Sequence, residues 1–151
     1  MRVITGTARG RVLRTLEGED VRPTTDRVKE AVFSIIQFEI EGRRVLDLFA
    51  GSGQLGIEAL SRGAASATFV DMSKDSLSAV KYNLEHTKLG DNAKVVQTDA
   101  LSFLKLTKDK FDIVFLDPPY ASSLVVDSMK LLSDVVAAGG CAMCETPVDS
   151  E

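Results

Sequence analysis

Hydrophobic positions along this 151-residue chain alternate between two patterns. Short apolar runs, the mark of strands buried on both faces, recur between stretches whose apolar residues lie three and four apart. The runs predict strands over residues 44–49, 67–70, 94–97, 111–116 and 141–145. The helical spacing predicts helices over 55–62, 74–87, 101–106 and 125–136. Gly63 stops the first of these helices, and Gly139-Gly140 precede the last strand. Ser73 stands where the second helix needs a cap, and Leu77, Val80 and Leu84 form its inward face. An earlier helix begins at Thr25 or Asp26 and ends before Gly42, with Val28, Ala31, Val32, Ile35 and Ile36 as its apolar face. Ahead of it, residues 2–5 and 11–16 read as a hairpin turned through Gly6 and Gly10, followed by a connector over 18–23. Strand and helix alternating in this way specify a doubly wound, mostly parallel α/β sheet with right-handed crossovers. The expected organisation is one domain, a hairpin arm over 1–24 on a body over 25–151.

Composition narrows the class. Hydrophobic residues at 44% and charged ones at 26% suit a globular core. No run approaches the roughly twenty apolar residues of a membrane span. The opening Met1-Arg2-Val3-Ile4 is soon interrupted by Gly6, Arg9 and Arg11, unlike a secretory signal. The expected location is the cytoplasm, with no membrane partner. Cys141 and Cys144 have CxxC spacing without a second pair, and residues three apart on a strand face opposite sides. They read as small residues in a reducing compartment, and no metal is expected. His86, the sole histidine, falls late on a helix and is assigned no chemistry.

The net charge of −4 argues against a nucleic-acid partner until its distribution is considered. Residues 1–30 hold seven Arg/Lys against five acids, and the first sixteen residues carry only basic charge. The pattern is a basic arm on an acidic body.

The most specific chemistry lies at Asp117-Pro118-Pro119-Tyr120, directly after the apolar run 111–116. Two prolines cannot continue a sheet ladder, so the strand ends in a stiff loop. That puts a carboxylate, a backbone carbonyl and an aromatic ring at a strand's carboxyl end, where open α/β sheets bind ligands. An exocyclic amine on a nucleobase is a poor nucleophile because its lone pair is delocalised into the ring. Two acceptors, Asp117 and the Pro118 carbonyl, can take its N–H bonds and aim the lone pair at an electrophile. Tyr120 offers a face on which an unpaired base can stack. The set suits methyl transfer to such an amine.

A second motif, Asp47-Leu48-Phe49-Ala50-Gly51-Ser52-Gly53, runs from a strand into a glycine loop and a helix start. Asp71 ends the next strand, where a carboxylate can hold ribose hydroxyls, and Asp99 ends the third, where one can accept from an adenine amine. Gly51-Ser52-Gly53-Gln54-Leu55-Gly56 also satisfies the G-x-G-x-x-G dinucleotide fingerprint. Asp47 argues against that reading: its carboxylate suits an ammonium group and repels a pyrophosphate. Asp117 and its neighbours would also be idle in hydride transfer.

Together these residues resemble the bacterial 16S rRNA guanine-N2 methyltransferases, the RsmD family. The likeness runs from Met1 to about Glu145 and is carried by the Asp117 and Asp47 motifs, Gly6-Thr7-Ala8-Arg9-Gly10 and Arg22-Pro23-Thr24-Thr25-Asp26-Arg27-Val28-Lys29-Glu30. The resemblance implies a Rossmann-like class I S-adenosylmethionine-dependent methyltransferase fold with an N-terminal hairpin and helix extension. It implies methyl transfer to the N2 amine of a guanine in small-subunit rRNA, free or in an assembling 30S particle. It assigns the cofactor to Asp47, Phe49, Ala50, Gly51, Ser52 and Gly53, together with Asp71, Met72, Asp99 and Ala100. Asp117, Pro118, Pro119 and Tyr120 become catalytic, and Arg9, Arg11, Arg14, Arg22 and Arg27 become phosphate contacts. Thr24 and Thr25 fit a place near the cofactor or a helix cap equally well. The family fold continues with two further strands, which are expected to be missing after residue 145. Competing readings are a DNA or RNA adenine-N6 or cytosine-N4 methyltransferase, which shares the Asp117 motif, and a non-catalytic nucleotide- or RNA-binding module.

Overall fold

The apolar runs pair into one parallel sheet in a computed structural model that describes residues 2–15, 26–116 and 123–144. Its strands are β1 (Arg44–Leu48), β2 (Ser66–Asp71), β3 (Ala93–Gln97), β4 (Phe111–Leu116) and β5 (Val136–Cys144), in the order β3-β2-β1-β4-β5. The helices are α1 (Asp26–Ile36), α2 (Gln54–Ser61), α3 (Lys74–Thr87), α4 (Ala100–Leu106) and α5 (Ser123–Leu132). This is the doubly wound parallel architecture expected from the alternation. Strand order reverses between β1 and β4, whose last residues Leu48 and Leu116 are register partners. The switch-point crevice of such a sheet therefore opens where the chain leaves these two strands.

Side-chain alternation divides the interior into two layers. Val45, Phe69, Ile113 and Phe115 pack with Phe33 and Ile36 of α1, Ile57 and Leu60 of α2, and Val80 and Leu84 of α3. Leu46, Leu48, Val70, Val114 and Leu116 pack on the opposite side with Phe103 and Leu104 of α4 and Leu132 of α5.

Three expectations are corrected. The apolar face of α1 is rotated: Ile35 is 73% exposed and Ala31 is also exposed, whereas Lys29, Phe33 and Ile36 are buried. Ile36 and Val32 lie on the core side as expected, but Lys29 and Phe33 take core positions that the polar–apolar pattern alone does not assign to them. Helix α5 ends at Leu132, four residues early, because residues 133–135 turn and Val136 already begins β5. The Val135 carbonyl accepts from Phe111 N at 2.7 Å. Consequently β5 runs through Gly139-Gly140, where the β4–β5 register shifts between Phe111 and Ile113. Gly139 has φ +80°, and a Cβ on Gly140 would lie 2.7 Å from the Asp112 carbonyl oxygen, so two glycines permit this irregular strand.

Among the described residues the hairpin holds one antiparallel bridge, Arg2 with Val12. It is packed on the body: Val3, Ala8 and Leu13 join the core of α1, α2 and α3. Gly6, at φ +94°, lies so close to the Ser61 carbonyl that any side chain would collide with it.

Candidate active site

The glycine loop is shaped by backbone geometry and braced by carboxylates. After Leu48, Phe49 takes φ +65°, a conformation costly for a residue with a Cβ. Gly51 and Gly53 follow at φ +58° and +84°. Gly53 is the N-cap of α2 and has no side chain with which to cap it. Asp47, 1% exposed, reaches up from β1 and accepts from Gly56 N at 2.9 Å. A strand carboxylate thus does the work of a capping side chain at the positive end of the helix. A pyrophosphate would compete for the same helix terminus and be repelled, which is the electrostatic objection to a dinucleotide site.

Asp71 at the end of β2 holds the loop from the other side. Its Oδ2 accepts from Gly51 N at 2.9 Å and its Oδ1 from Ser73 N at 2.8 Å. The Ala50 amide donates to the Val70 carbonyl at 2.9 Å. A Cβ built on Gly51 meets nothing within 4 Å, so this stretch borders open space in which a ligand can approach backbone. Gly53 faces inward, its Cβ position 3.1 Å from Val80 and 3.3 Å from Phe69.

The other residues assigned to the cofactor follow the carboxyl ends of β1, β2 and β3. Phe49 is half-buried, Ala50 and Ser52 are buried, and Met72 is 68% exposed beside Asp71. Asp99 caps α4, accepting from Ser102 N at 2.8 Å and Ser102 Oγ at 2.7 Å, with Ala100 buried behind it. The Ser102 hydroxyl, then its amide, hold the Asp99 carboxyl below its ordinary value. Asp71 and Asp99 thus spend two acceptor positions each on backbone or serine donors, and an ionised carboxylate offers about four.

The sequence Asp117-Pro118-Pro119-Tyr120 lies outside the described residues, as do Arg22, Thr24 and Thr25. The described chain reaches Leu116, which is paired to Leu48. Arg27 lies in the first turn of α1. Arg9, Arg11 and Arg14 are exposed on the arm, and the Arg14 guanidinium sits 4.0 Å from the centre of the Tyr82 ring. His86 stacks on Tyr82 from the next turn of α3 and is exposed.

Sequence reasoning misses the residues that fasten this arm. Lys29 and Glu58 are fully buried and form an ion pair at 3.2 Å. Lys29 Nζ donates to the Arg2 carbonyl at 3.0 Å, while Glu58 accepts from Ile4 N at 2.8 Å, Thr5 N at 3.0 Å and Arg62 Nε at 2.9 Å. Ser61 accepts from Ala8 N and donates to the Thr5 carbonyl. Asn83 is missed as well; it bonds Arg14 and Ser52. The one signal that could have found them is polarity in an apolar stripe: Lys29 lies four before Phe33, and Asn83 three after Val80.

The fold is that of the Rossmann-like, S-adenosylmethionine-dependent methyltransferases. A solved methyltransferase of that type from Thiobacillus denitrificans, in complex with S-adenosyl-L-homocysteine, shares it at TM-score 0.65 and 21% identity, over 83% of this chain and 49% of that one. The Escherichia coli protein yhhF superposes at TM-score 0.89 with 40% identity, covering 100% of this chain and 84% of that one. The family described as "Conserved hypothetical protein 95" matches residues 1–151, and the chain belongs to it. The chain is 43% identical over 134 residues to "Ribosomal RNA small subunit methyltransferase D" of Escherichia coli K12, covering 89% of this chain and 67% of that protein. It is 42% identical over 137 residues to the protein of the same name from Haemophilus influenzae, covering 89% and 71%. By fold and family this protein is a methyltransferase.

Proposed function

We propose that this protein transfers the methyl group of S-adenosylmethionine to the exocyclic N2 amine of a guanine in small-subunit rRNA, in the cytoplasm. The observation that carries the reading is the pairing of Leu48 with Leu116. It brings the ends of the two motif-bearing strands together at the switch point, one leading into the glycine loop and one into Asp117-Pro118-Pro119-Tyr120. The names of the two rRNA methyltransferases D support an rRNA substrate.

The residues present fit the cofactor. Open space beside Gly51 admits it to the backbone, Asp47 sets negative charge beneath the loop, and Asp71 and Asp99 retain acceptor capacity for ribose hydroxyls and an adenine amine. Phe49, Ala50, Ser52, Gly53, Met72 and Ala100 complete its surroundings. When bound, S-adenosylmethionine supplies an electrophilic methyl group. Asp117 and the Pro118 carbonyl accept the two N–H bonds of the guanine amine and orient its lone pair, Pro119 stiffens their loop, and Tyr120 stacks on the base. The methylated amine is strongly acidic and loses its proton to Asp117 or water, so no further base is required.

The test combines labelled S-adenosylmethionine with unmethylated small-subunit particles, followed by digestion to nucleosides. Label in N2-methylguanosine is the expected result. Label in another methylated nucleoside would overturn the choice of base, and absence of label while S-adenosylhomocysteine still binds would overturn the catalytic reading. Asp117→Ala is expected to lower turnover at least roughly a hundredfold with RNA binding retained.

A further inference from the structure

Asn83 lies on the inward face of α3, fully buried, and uses both ends of its amide. Its Oδ1 accepts from Arg14 N at 2.7 Å, and its Nδ2 donates to the Arg14 carbonyl at 2.9 Å. The same Nδ2 donates its other hydrogen to the Ser52 carbonyl at 3.0 Å. One side chain therefore treats Arg14 as a neighbouring strand would and simultaneously holds the glycine loop between Gly51 and Gly53. The amide can point only one way, because its reverse would set an oxygen against two carbonyls. Arg14 is fixed twice, through its backbone by Asn83 and through its guanidinium by Tyr82 one residue earlier on α3. The other buried ties of the arm, through Lys29, Glu58 and Ser61, end on α1 and α2.

We propose that Asn83 is a positioning residue that couples the basic arm to the glycine loop, so that RNA on the arm and cofactor at the loop strengthen each other's binding. The inference rests on the reading of the protein as an RNA methyltransferase. An arm held by RNA through Arg14 keeps the Arg14 backbone in register with Asn83, and Asn83 then holds the Ser52 carbonyl in the orientation that leaves Gly51 open. Linkage requires the effect to be reciprocal: the factor by which RNA tightens cofactor binding equals the factor by which cofactor tightens RNA binding.

The experiment titrates S-adenosylhomocysteine calorimetrically, with and without a small-subunit rRNA transcript, into the wild type, Asn83→Ala and Ser61→Ala. In the wild type, RNA is expected to tighten S-adenosylhomocysteine at least about fivefold, the lower end of typical coupling. In Asn83→Ala the affinity for S-adenosylhomocysteine alone falls about tenfold, as for a lost buried hydrogen bond, and the coupling factor collapses toward one. Ser61→Ala loosens the arm without touching the loop; its melting temperature falls while the coupling factor stays at the wild-type value. Should Asn83→Ala fail to fold, Asn83→Asp keeps the size and the acceptor for Arg14 N but removes both donors, and is expected to lose the coupling likewise. A melting temperature lowered in the Asn83 variant with an unchanged coupling factor would reduce Asn83 to a structural staple. A wild type that binds both ligands with a factor of one would end the coupling but leave the methyltransferase reading standing. A wild type that binds no S-adenosylhomocysteine would sink that reading itself.

Discussion

At the scale of single residues, Gly51 of the loop and Gly56 of α2 carry different duties that substitution can separate. Gly56 lies under the Phe69 ring: an added Cβ would stand 2.3 Å from Cε1 of that ring and 3.2 Å from Asp47 Oδ2. Gly56→Ala must displace a buried aromatic ring and strain the carboxylate that caps α2, so it is expected to cost about 1–3 kcal/mol, as overpacking does. Gly51 has no such neighbour, and its alanine variant incurs only the left-handed backbone penalty of about 1–2 kcal/mol. The new methyl would, however, project into the space proposed for the cofactor. Thermal unfolding combined with S-adenosylhomocysteine titration checks both. Gly56→Ala should lose mainly stability, and Gly51→Ala should lose binding out of proportion to its change in melting temperature. Equal loss of both properties in the two variants would show that the loop has no ligand-facing side.

At the scale of elements, the arm is joined to α1 and α2 by a buried charge network, and its members are unequal. Glu58 bonds Lys29, Arg62 and the amides of Ile4 and Thr5. Glu58→Gln removes the carboxylate charge that faces the buried Lys29 ammonium and is expected to cost about 3–5 kcal/mol, the range for breaking a buried pair. Lys29→Met leaves Glu58 still neutralised by Arg62 and bonded to two amides, so its cost should fall near the lower end, about 3 kcal/mol. Denaturant unfolding of the two variants measures the difference, and a smaller loss for Glu58→Gln would contradict this ordering. The network also marks where sequence stops being informative. The strands, the glycine loop and α3 are legible because their apolar periods agree with their burial, as at Leu77, Val80 and Leu84. Lys29 is not legible as a core residue, because its burial depends on Glu58, 29 positions away in sequence and brought beside it only by the fold. The start of β5 is illegible for a related reason: Val135-Val136 continue the apolar spacing of α5, and only pairing with Phe111 decides in favour of strand. The place of Asp47 before the glycines is legible from sequence, but its bond to Gly56 depends on how α2 docks.

At the scale of the whole molecule, charge is divided against itself. The protein carries −4 overall, yet its first sixteen residues are purely basic, and packing that arm onto the body leaves Arg9, Arg11 and Arg14 exposed. An acidic body repels a polyanion at long range, so RNA affinity should rest on local phosphate contacts made by the arm. Arg9 and Arg11 take part in the hairpin through backbone atoms: Val3 N donates to the Arg11 carbonyl, and the Arg9 and Arg11 amides donate to the carbonyls of Gly6 and Ala8. Replacing both side chains with alanine should therefore leave the fold and its melting temperature nearly unchanged. Each cation that neutralises a phosphate of single-stranded RNA adds about 0.7 to the slope of log affinity against log salt, so Arg9→Ala with Arg11→Ala should flatten it by roughly 1.4. Binding should weaken most at low salt, where counterion release contributes most, and converge with the wild type as salt rises. RNA titrations across a salt series would measure this directly. A slope equal to the wild type's would remove these two arginines from the phosphate-binding surface and shift the search to Arg14 and Arg27.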